Sequence, residues 1–275
     1  MIELRSADNH PAWCPGCGNF PILAAVDEAL DAVKVDRRKL VLVSGIGQAA
    51  KLPHYTRANV FNGLHGRAIP AATGIKLANT ELEVVIVSGD GDMYGEGGNH
   101  LIHAMRRNIG ITAFVHNNQV YGLTKGQASP TSDPGFTTPV QIHGTKSAAL
   151  NPLAMAIAAN CSFVARSFSG AKEHLVATMS AAIEHRGFAL VDILQPCFSF
   201  NHVNTFKWYR DRVRPIGDYH DTRNREAAMR LAMKWGDEIP IGIIYESERK
   251  PYEKTQEVLA SGTLVDQYRR LEAVW

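Results

Sequence analysis

Residues 84–119 read VVIVSGDGDMYGEGGNHLIHAMRRNIGITAFVHNNQ, and this stretch indicates the class of fold. Two apolar runs, at residues 84–88 and 111–115, have the composition of strands that are buried on both faces. Residues 98–107 between them have the apolar spacing of a helix. Because strand, helix and strand in this order form the unit of a parallel sheet, we predict an α/β fold: a mostly parallel sheet with helices on both faces.

Polar clusters follow both predicted strands. Gly89, Asp90 and Gly91 come directly after the first strand, and Asn117 and Asn118 after the second, with 25 residues between the two clusters. The carboxyl ends of parallel strands meet at one sheet edge, where open α/β sheets bind ligands. A carboxylate and an amide oxygen at such an edge can hold Mg²⁺, which keeps diphosphate oxygens in its shell. The alternative is structural, with glycines that shape a turn and asparagines that cap a strand end.

Further strands and helices are predicted along the chain. Asn151 and Pro152 form a helix start, with Asn as the cap and Pro in the first turn. Ser169 is a candidate cap for a later helix. Residues 122–140, rich in Gly, Pro, Ser and Thr, form a long connection of a kind that is usually functional or disordered. The remaining strands are predicted at residues 40–44, 163–165 and 189–194, and the remaining helices at residues 20–33, 67–78 and 171–185.

The alternation of strands and helices ends at Phe198. The rest of the chain is richer in charge, with a predicted helix near residues 224–234 and a short apolar run at residues 239–245. We therefore expect two parts. Residues 1–200 form the α/β domain, and residues 201–275 form a C-terminal extension that packs on the domain edge or on a partner subunit.

The composition limits the classes of function. The chain has 275 residues, of which 45% are hydrophobic, enough for one large α/β domain. A net charge of +2 does not indicate a nucleic-acid partner, and no apolar run has the length of a membrane span. Residues 1–18 lack the apolar core of a signal peptide, so we expect a cytoplasmic protein. Four cysteines do not make a disulfide framework, and Cys161 is expected to be a small buried hydrophobe.

Seven motifs occur in order along the chain, and together they are far more specific than any single glycine motif. They are WCPGCG (13–18), SGIG (44–47), LPHY (52–55), NGLHGR (62–67), GDGD (89–92), HNNQVYGLTKGQASPTS (116–132) and DILQPC (192–197). This pattern resembles the β subunit of the 2-oxoacid:ferredoxin oxidoreductases over about residues 10–200. The resemblance implies the diphosphate-binding half of the thiamine diphosphate-binding fold. It also implies an enzyme component that oxidatively decarboxylates a 2-oxoacid with coenzyme A, yielding acyl-CoA, CO₂ and reduced ferredoxin.

The resemblance implies sites for Mg²⁺ and for the diphosphate. The implied Mg²⁺ ligands are Asp90, the side chain of Asn118 and the backbone carbonyl of Val120, three oxygens that leave room for diphosphate oxygens and a water. Glycines in such a site let backbone N–H groups approach phosphate. For His65 the alternative is a structural, hydrogen-bonded histidine. The residues implied to bind the cofactor are Gly47, His65, Gly89, Asp90, Gly91, Asn118, Val120, Gly122 and Leu123.

Three residues are implied to face the substrate: Lys51, Thr124 and Lys125. A 2-oxoacid carboxylate needs a cation, and a second carboxylate on the substrate needs another. The two lysines therefore favour 2-oxoglutarate, with pyruvate or a branched 2-oxoacid as alternatives. Either lysine can instead be a surface residue, since Lys is mostly exposed in proteins.

Cys14 and Cys17 have metal-ligand spacing, and Cys197 follows a predicted strand and a proline. The resemblance implies that these three bind a [4Fe–4S] cluster, which normally takes four thiolates. The family usually has a cysteine directly after GIG, where this chain has Gln48. Three arrangements stay open: a non-thiolate fourth ligand from Gln48, His54 or a partner, a three-iron cluster, or no cluster.

Only one GDG and NN pair is present in the chain. In the family, the glutamate that polarises the aminopyrimidine ring lies on a different domain. The resemblance therefore implies that the cofactor lies between this chain and an α subunit. The other expected partners are ferredoxin, the 2-oxoacid and coenzyme A, without nucleic acid or membrane.

Two alternatives belong to other classes. A non-redox thiamine diphosphate component shares Asp90 and Asn118 but needs no cysteine motif. A zinc-stabilised binding module explains the pair Cys14 and Cys17, although zinc sites usually have two such pairs.

Overall fold

The computed structural model describes residues 9–272. Residues 1–8 and 273–275, which belong to the predicted domain and extension, lie outside the described residues. The strands are β1 (Leu40–Ser44), β2 (Asn59–Asn62), β3 (Glu83–Gly89), β4 (Thr112–Asn117), β5 (Val120–Tyr121), β6 (Gln127–Ala128), β7 (Phe163–Phe168), β8 (Ala189–Leu194), β9 (Val213–Pro215) and β10 (Ile239–Glu246). The helices are α1 (Asn19–Ala32), α2 (Ala68–Ala78), α3 (Gly98–Arg107), α4 (Pro152–Ala158), α5 (Lys172–Glu184), α6 (Phe206–Arg212), α7 (Arg225–Ala232) and α8 (Leu264–Glu272).

Eight of these strands form one sheet in the order β2-β1-β3-β4-β8-β7-β10-β9. The first six strands in this order, β2, β1, β3, β4, β8 and β7, are parallel to one another. Strand β10 is antiparallel to β7, and β9 runs parallel to β10. Strands β5 and β6 form a separate hairpin. The predicted mostly parallel α/β sheet is confirmed.

Helices cover both faces of the sheet. This explains why the sequence of β3 is apolar throughout, because its side chains are buried on both sides. Val84 and Ile86 pack into a core with α2, α3, α4 and α7. Val85 and Val87 point to the opposite face, where the core includes α1 and α5. All four side chains are fully buried, and each such burial stabilises the fold by about 1.5–3 kcal/mol.

The two predicted helix starts have different outcomes. Helix α4 begins at Pro152 as predicted, and Asn151 Oδ1 accepts a hydrogen bond of 3.0 Å from the backbone N–H of Ala154. The predicted cap Ser169 is wrong. Its backbone N–H donates to the Leu194 carbonyl oxygen at 3.0 Å, so Ser169 still belongs to the sheet edge, and α5 begins only at Lys172.

The C-terminal extension is continuous with the sheet. The predicted apolar run at residues 239–245 is strand β10, whose Ile239 and Ile241 are buried against Phe168 and Leu194 at the ends of β7 and β8. The predicted helix near residues 224–234 is α7. Among the described residues, no helix is long and apolar enough to cross a membrane.

Candidate functional site

A partly open cavity lies where β1, β3 and β4 end. All nine residues implied to bind the cofactor line it, which brings together loops that are far apart in sequence. Their binding role stays a prediction. We call this the strand-end cavity, and its walls are formed by Ile46, Gly47, Gln48, Ala49, His65, Gly89, Asp90, Gly91, Asp92, Asn118, Val120, Tyr121, Gly122, Leu123 and Thr124.

Asp90 is one of two buried carboxylates that line this cavity. Its Oδ2 atom accepts hydrogen bonds from Ser129 Oγ at 2.6 Å and from Thr131 Oγ1 at 2.7 Å. Burial raises the pKa of Asp90 to about 6, although the two hydroxyl donors oppose the shift. A carboxylate that is costly to keep charged in this position has a strong need for a cation.

The two other predicted metal ligands are arranged by a tight turn. Gln119 has a φ of 57°, and across it Asn118 Oδ1 accepts a hydrogen bond of 3.0 Å from the backbone N–H of Val120. Gln119 Nε2 in turn donates to the Thr131 carbonyl oxygen at 2.7 Å. The long connection that carries Thr131 therefore fixes both the carboxylate and the turn.

The oxygen atoms that line the cavity are suitable ligands for Mg²⁺. One carboxylate, one amide oxygen and one backbone carbonyl are hard oxygen ligands, and Mg²⁺ is usually bound by only one or two carboxylates together with phosphate oxygens. Within residues 9–272, no three His, Cys, Asp or Glu side chains form a group that could hold a metal ion. The fit therefore depends on the two neutral oxygens of Asn118 and Val120.

Asp92 is the central residue that the sequence did not predict. Its buried Oδ1 atom accepts hydrogen bonds from the backbone N–H groups of Ile46 at 3.0 Å and Gly66 at 2.7 Å. The same oxygen lies 2.7 Å from His65 Nδ1, and Oδ2 accepts a 2.7 Å bond from Ser88 Oγ. Asp92 thus ties three loops of the cavity together. The second Asp of the GDGD motif was the available signal.

Close approach explains two glycines of the site. A Cβ atom on Gly45 would lie 2.1 Å from Asp92 Oδ2, and one on Gly91 would lie 2.3 Å from Tyr121 Cε1. Neither position has room for a side chain. The carboxylate of Asp92 and the ring of Tyr121 occupy the space that the missing side chains leave.

His65 lies at the half-open rim of the cavity. Its Nε2 atom is 3.3 Å from Glu96 Oε2, and Tyr121 donates its hydroxyl to the same oxygen at 3.2 Å. Burial and the charge of Glu96 raise the pKa of Tyr121, so the phenol remains a donor. With Asp92 on the other ring nitrogen, His65 is fixed in orientation from both sides. The predicted structural alternative and the predicted cofactor role are compatible here.

A buried network lies behind Asp90. Asp192 Oδ1 accepts hydrogen bonds from Tyr94 Oη at 2.9 Å and from Asn117 Nδ2 at 3.0 Å. Asn117 Oδ1 lies 2.9 Å from Thr131 Oγ1, the hydroxyl that also contacts Asp90. The first Asn of the NN pair therefore supports the site from beneath, while the second one lines it.

The predicted substrate-facing residues are only partly brought together. Thr124 lines the cavity, and its Oγ1 donates to Gln127 Oε1 at 2.6 Å. Lys125 follows it on the exposed rim with a φ of 82°, and Lys51 lies in the short helix Ala49–Tyr55. Neither lysine lines the strand-end cavity. Their substrate role stays a prediction.

The three predicted cluster ligands line one cavity, although no three such side chains in the part of the chain that the structure describes form a group that could hold a metal ion. Cys14, Cys17 and Cys197 line a second, small cavity. Burial, and to a lesser extent the charges of Cys197 and Cys14, raise the pKa of Cys17. We call this the cysteine cavity, and its other walls are Trp13, Gln48, Asn118, Gly122, Phe198, Ser199 and Phe200. The strand-end cavity shares Gln48, Asn118 and Gly122 with it, so the two cavities are adjacent.

Polar donors accompany two of these thiols. Ser199 Oγ donates to Cys14 Sγ at 3.2 Å, and Gln195 Nε2 donates to Cys17 Sγ at 3.7 Å. Such donors suit sulfur that carries negative charge. The fourth cysteine, Cys161, is remote and buried, with a pKa raised to about 12 by burial, which confirms it as a small core residue.

Two family descriptions match the chain. Residues 44–193 match the C-terminal TPP-binding domain of thiamine pyrophosphate enzymes, and residues 197–261 match the C-terminal part of the pyruvate ferredoxin oxidoreductase beta subunit. The first match includes the walls of the strand-end cavity, and the second begins at Cys197.

Relatives and a solved structure point in the same direction. The 2-oxoacid:ferredoxin oxidoreductase 1, subunit beta, of Aeropyrum pernix is 43% identical over 249 residues, which cover 86% of this chain and 78% of the relative. The 2-oxoglutarate synthase subunit KorB of Archaeoglobus fulgidus is 42% identical over 196 residues, or 70% of this chain and 72% of the relative. The solved structure is the 2-oxoglutarate:ferredoxin oxidoreductase from Magnetococcus marinus with 2-oxoglutarate, coenzyme A and succinyl-CoA bound. It has 36% sequence identity and a TM-score of 0.90, and the match covers 99% of this chain and 94% of that chain.

Proposed function

The chain is a β subunit of the 2-oxoacid:ferredoxin oxidoreductase family, and we propose that its substrate is 2-oxoglutarate. In this proposal the complete enzyme converts 2-oxoglutarate and coenzyme A to succinyl-CoA and CO₂, and two electrons pass to ferredoxin. The KorB relatives and the solved 2-oxoglutarate enzyme support this choice over pyruvate.

One observation carries the proposal: nine residues from four separate segments line a single cavity at the strand ends. The family binds thiamine diphosphate, which supplies the nucleophile and the electron sink that decarboxylation needs. In the proposal, Asp90, Asn118 and Val120 hold Mg²⁺, and the metal ion binds the diphosphate. The nearby glycines leave room for phosphate against the backbone, and His65 is oriented at the rim.

The active site is completed by an α subunit in this proposal. The described chain supplies the diphosphate side of the site, and several large apolar side chains stand exposed on its cavity loops. Leu64 is 76% exposed, and Ile46, Phe61 and Leu123 are also exposed. Apolar side chains grouped in this way are typical of a surface that a partner covers.

The cysteine cavity supports an electron route from the same site to ferredoxin. Three thiols line a cavity that shares walls with the strand-end cavity, and two of them accept hydrogen bonds. Thiolates are the ligands that iron–sulfur clusters prefer. We place the protein in the cytoplasm, because none of the four cysteines within the described residues forms a disulfide, as is usual in a reducing compartment.

A second candidate is a non-redox thiamine diphosphate component. Gln48 favours it, because this chain has a glutamine where the family pattern has a cysteine. Anaerobic assays of the complex with 2-oxoglutarate, pyruvate and a branched 2-oxoacid separate the two. We expect ferredoxin reduction that requires coenzyme A and is fastest with 2-oxoglutarate. Bound thiamine diphosphate without iron, together with CO₂ release that leaves ferredoxin oxidised, would favour the second candidate.

A further inference from the structure

We propose that the side-chain amide oxygen of Gln48 is the fourth ligand of an iron–sulfur cluster held by Cys14, Cys17 and Cys197. The inference rests on the proposed function, because it assumes that the cysteine cavity holds a cluster. It selects one of the arrangements that the sequence leaves open.

The Gln48 amide oxygen is an unpaired polar atom in a buried position. Within residues 9–272, Gln48 Oε1 is inaccessible to solvent and has no hydrogen-bond partner. Buried polar atoms are nearly always paired, and an exception calls for an explanation such as a bound ion. An iron atom in the adjoining cavity supplies that explanation.

The backbone around Gln48 is fastened to the segment that carries the first cysteine. Trp13 Nε1 donates a 2.9 Å hydrogen bond to the Gln48 carbonyl oxygen, and Cys14 is the next residue after Trp13. Gln48 itself lines the cysteine cavity beside the three thiols. The main chain of Gln48 is thus held beside the segment that carries Cys14.

The competing candidate His54 is placed differently. It is exposed near the end of the short helix Ala49–Tyr55, and its carbonyl oxygen accepts a hydrogen bond of 3.0 Å from Asn9 Nδ2. His54 is not part of the wall of the cysteine cavity. Of these two candidates, only Gln48 lines the cysteine cavity.

An amide oxygen changes the chemistry of the cluster. Thiolates are soft anions, whereas an amide oxygen is a hard, neutral ligand that binds iron less firmly. One iron should therefore be released more readily than the other three. Replacing one thiolate by a neutral ligand also makes the site less negative, and net charge is one of the factors that set cluster potential.

The test uses the complete complex, purified anaerobically, with wild-type chain, Gln48→Cys, Gln48→Ala and, as a matched control, His54→Ala. A Cys14→Ala/Cys17→Ala variant supplies the signal of clusters on partner chains for subtraction. Ferricyanide removes one electron from a four-iron cluster with release of one Fe²⁺, which leaves a three-iron cluster that EPR detects. Released iron and the EPR signal are the readouts, and bound thiamine diphosphate reports that each variant is folded.

We expect the wild-type chain and His54→Ala to release about one iron in four and to yield the three-iron signal. Gln48→Cys should retain its iron under the same treatment, and Gln48→Ala should already contain the three-iron form. Equal iron release from the wild-type chain and Gln48→Cys overturns the assignment of Gln48 alone. If the wild-type complex binds thiamine diphosphate but this chain contains no iron, the cluster is refuted. The redox role that the proposed function gives to this chain is then refuted as well.

Discussion

Asp92 Oδ1 lies 2.7 Å from Nδ1 of His65, and this contact connects the strand β3 end of the site to its rim. The same oxygen accepts backbone hydrogen bonds from Ile46 and Gly66. Asp90 faces the expected metal, whereas Asp92 organises the loops around it. The two acids of GDGD therefore have different tasks.

Replacing Asp92 by alanine should weaken both the fold and cofactor binding. The change leaves two buried donors, of Gly66 and Ser88, and the partly buried donor of Ile46 without their acceptor, and we expect the free energy of unfolding to fall by about 3 kcal/mol. Thiamine diphosphate affinity should fall by at least about tenfold, or about 1.4 kcal/mol. Urea unfolding and calorimetric binding measure the two effects. Asp92→Asn retains an accepting oxygen and should lie between the wild-type chain and Asp92→Ala. Wild-type affinity in Asp92→Ala would refute the organising role.

Gly45 should not tolerate a methyl group. The added Cβ of Gly45→Ala would meet Asp92 Oδ2 at 2.1 Å, and displacement of this carboxylate should cost about 1–3 kcal/mol of stability. Gly74→Ala is the matched control, because nothing lies within 4 Å of its added Cβ and α2 is helical there. The control should gain about 0.5–1 kcal/mol in urea unfolding. Equal stability of the two variants would show that the close approach at Gly45 is not limiting.

Asp90→Asn should abolish metal-dependent cofactor binding without loss of the fold. The substitution removes the carboxylate from the oxygen ligands, and we expect Mg²⁺-dependent binding of thiamine diphosphate to weaken by more than about 100-fold. Because burial raises the pKa of Asp90 to about 6, the neutral amide should leave the metal-free protein at least as stable as the wild type at pH 7.5. Calorimetry with and without EDTA separates the effects. Binding at wild-type strength by Asp90→Asn would exclude Asp90 as the ligand.

Acid should destabilise the chain through His116. Its Nδ1 atom lies 2.7 Å from Asn19 Oδ1, and burial lowers the pKa of His116 to about 3. The unfolded chain therefore takes up the proton first, as the pH falls below about 6.5, and stability is lost in that direction. Between pH 6.5 and 5 the loss should be about 1.6 kcal/mol. Urea unfolding of wild type and His116→Gln at both pH values measures it, and the variant should lack this part of the slope. Identical slopes would contradict the assignment.

Lys125 should affect substrate selection more than turnover. It follows Thr124 on the exposed rim of the strand-end cavity, where a cation can meet the second carboxylate of 2-oxoglutarate. Lys125→Ala should raise KM for 2-oxoglutarate by about tenfold, equal to about 1.4 kcal/mol, and leave KM for pyruvate nearly unchanged. Lys51→Ala is the comparison variant. An equal rise for both substrates would indicate recognition of the shared 2-oxoacid group instead.

The sequence predicted the sheet because its strands are apolar on both faces. Strand β1 matches its predicted bounds, and β3 and β4 lie side by side as the GDG and NN positions require. Periodicity could not indicate that β10 joins β7 in antiparallel pairing, because a short apolar run at residues 239–245 carries no information on its partner. The cap predicted at Ser169 was wrong for a similar reason. The backbone hydrogen bond from Ser169 to Leu194 is a long-range contact, which local sequence does not indicate.

The sequence indicated which residues lie together where a residue type has few structural uses, and it missed those whose type has many. Asp90, Asn118 and the three cysteines are polar or reactive residues in defined spacings, and the structure groups them as expected. Ser129 and Thr131, which bond Asp90, lie in a loop rich in hydroxyl residues, so nothing local distinguishes them. The tie from Asp92 to Ile46 spans 46 positions and follows only from the fold.

Product ratios in one anaerobic reaction test whether a 2-oxoacid undergoes a redox reaction at this site. The complete complex is given 2-oxoglutarate, coenzyme A and a one-electron ferredoxin, and succinyl-CoA, CO₂ and reduced ferredoxin are measured together. We expect two reduced ferredoxins for each succinyl-CoA and each CO₂, and none of the three products when the chain carries Asp90→Asn. Release of CO₂ while ferredoxin stays oxidised would contradict this expectation.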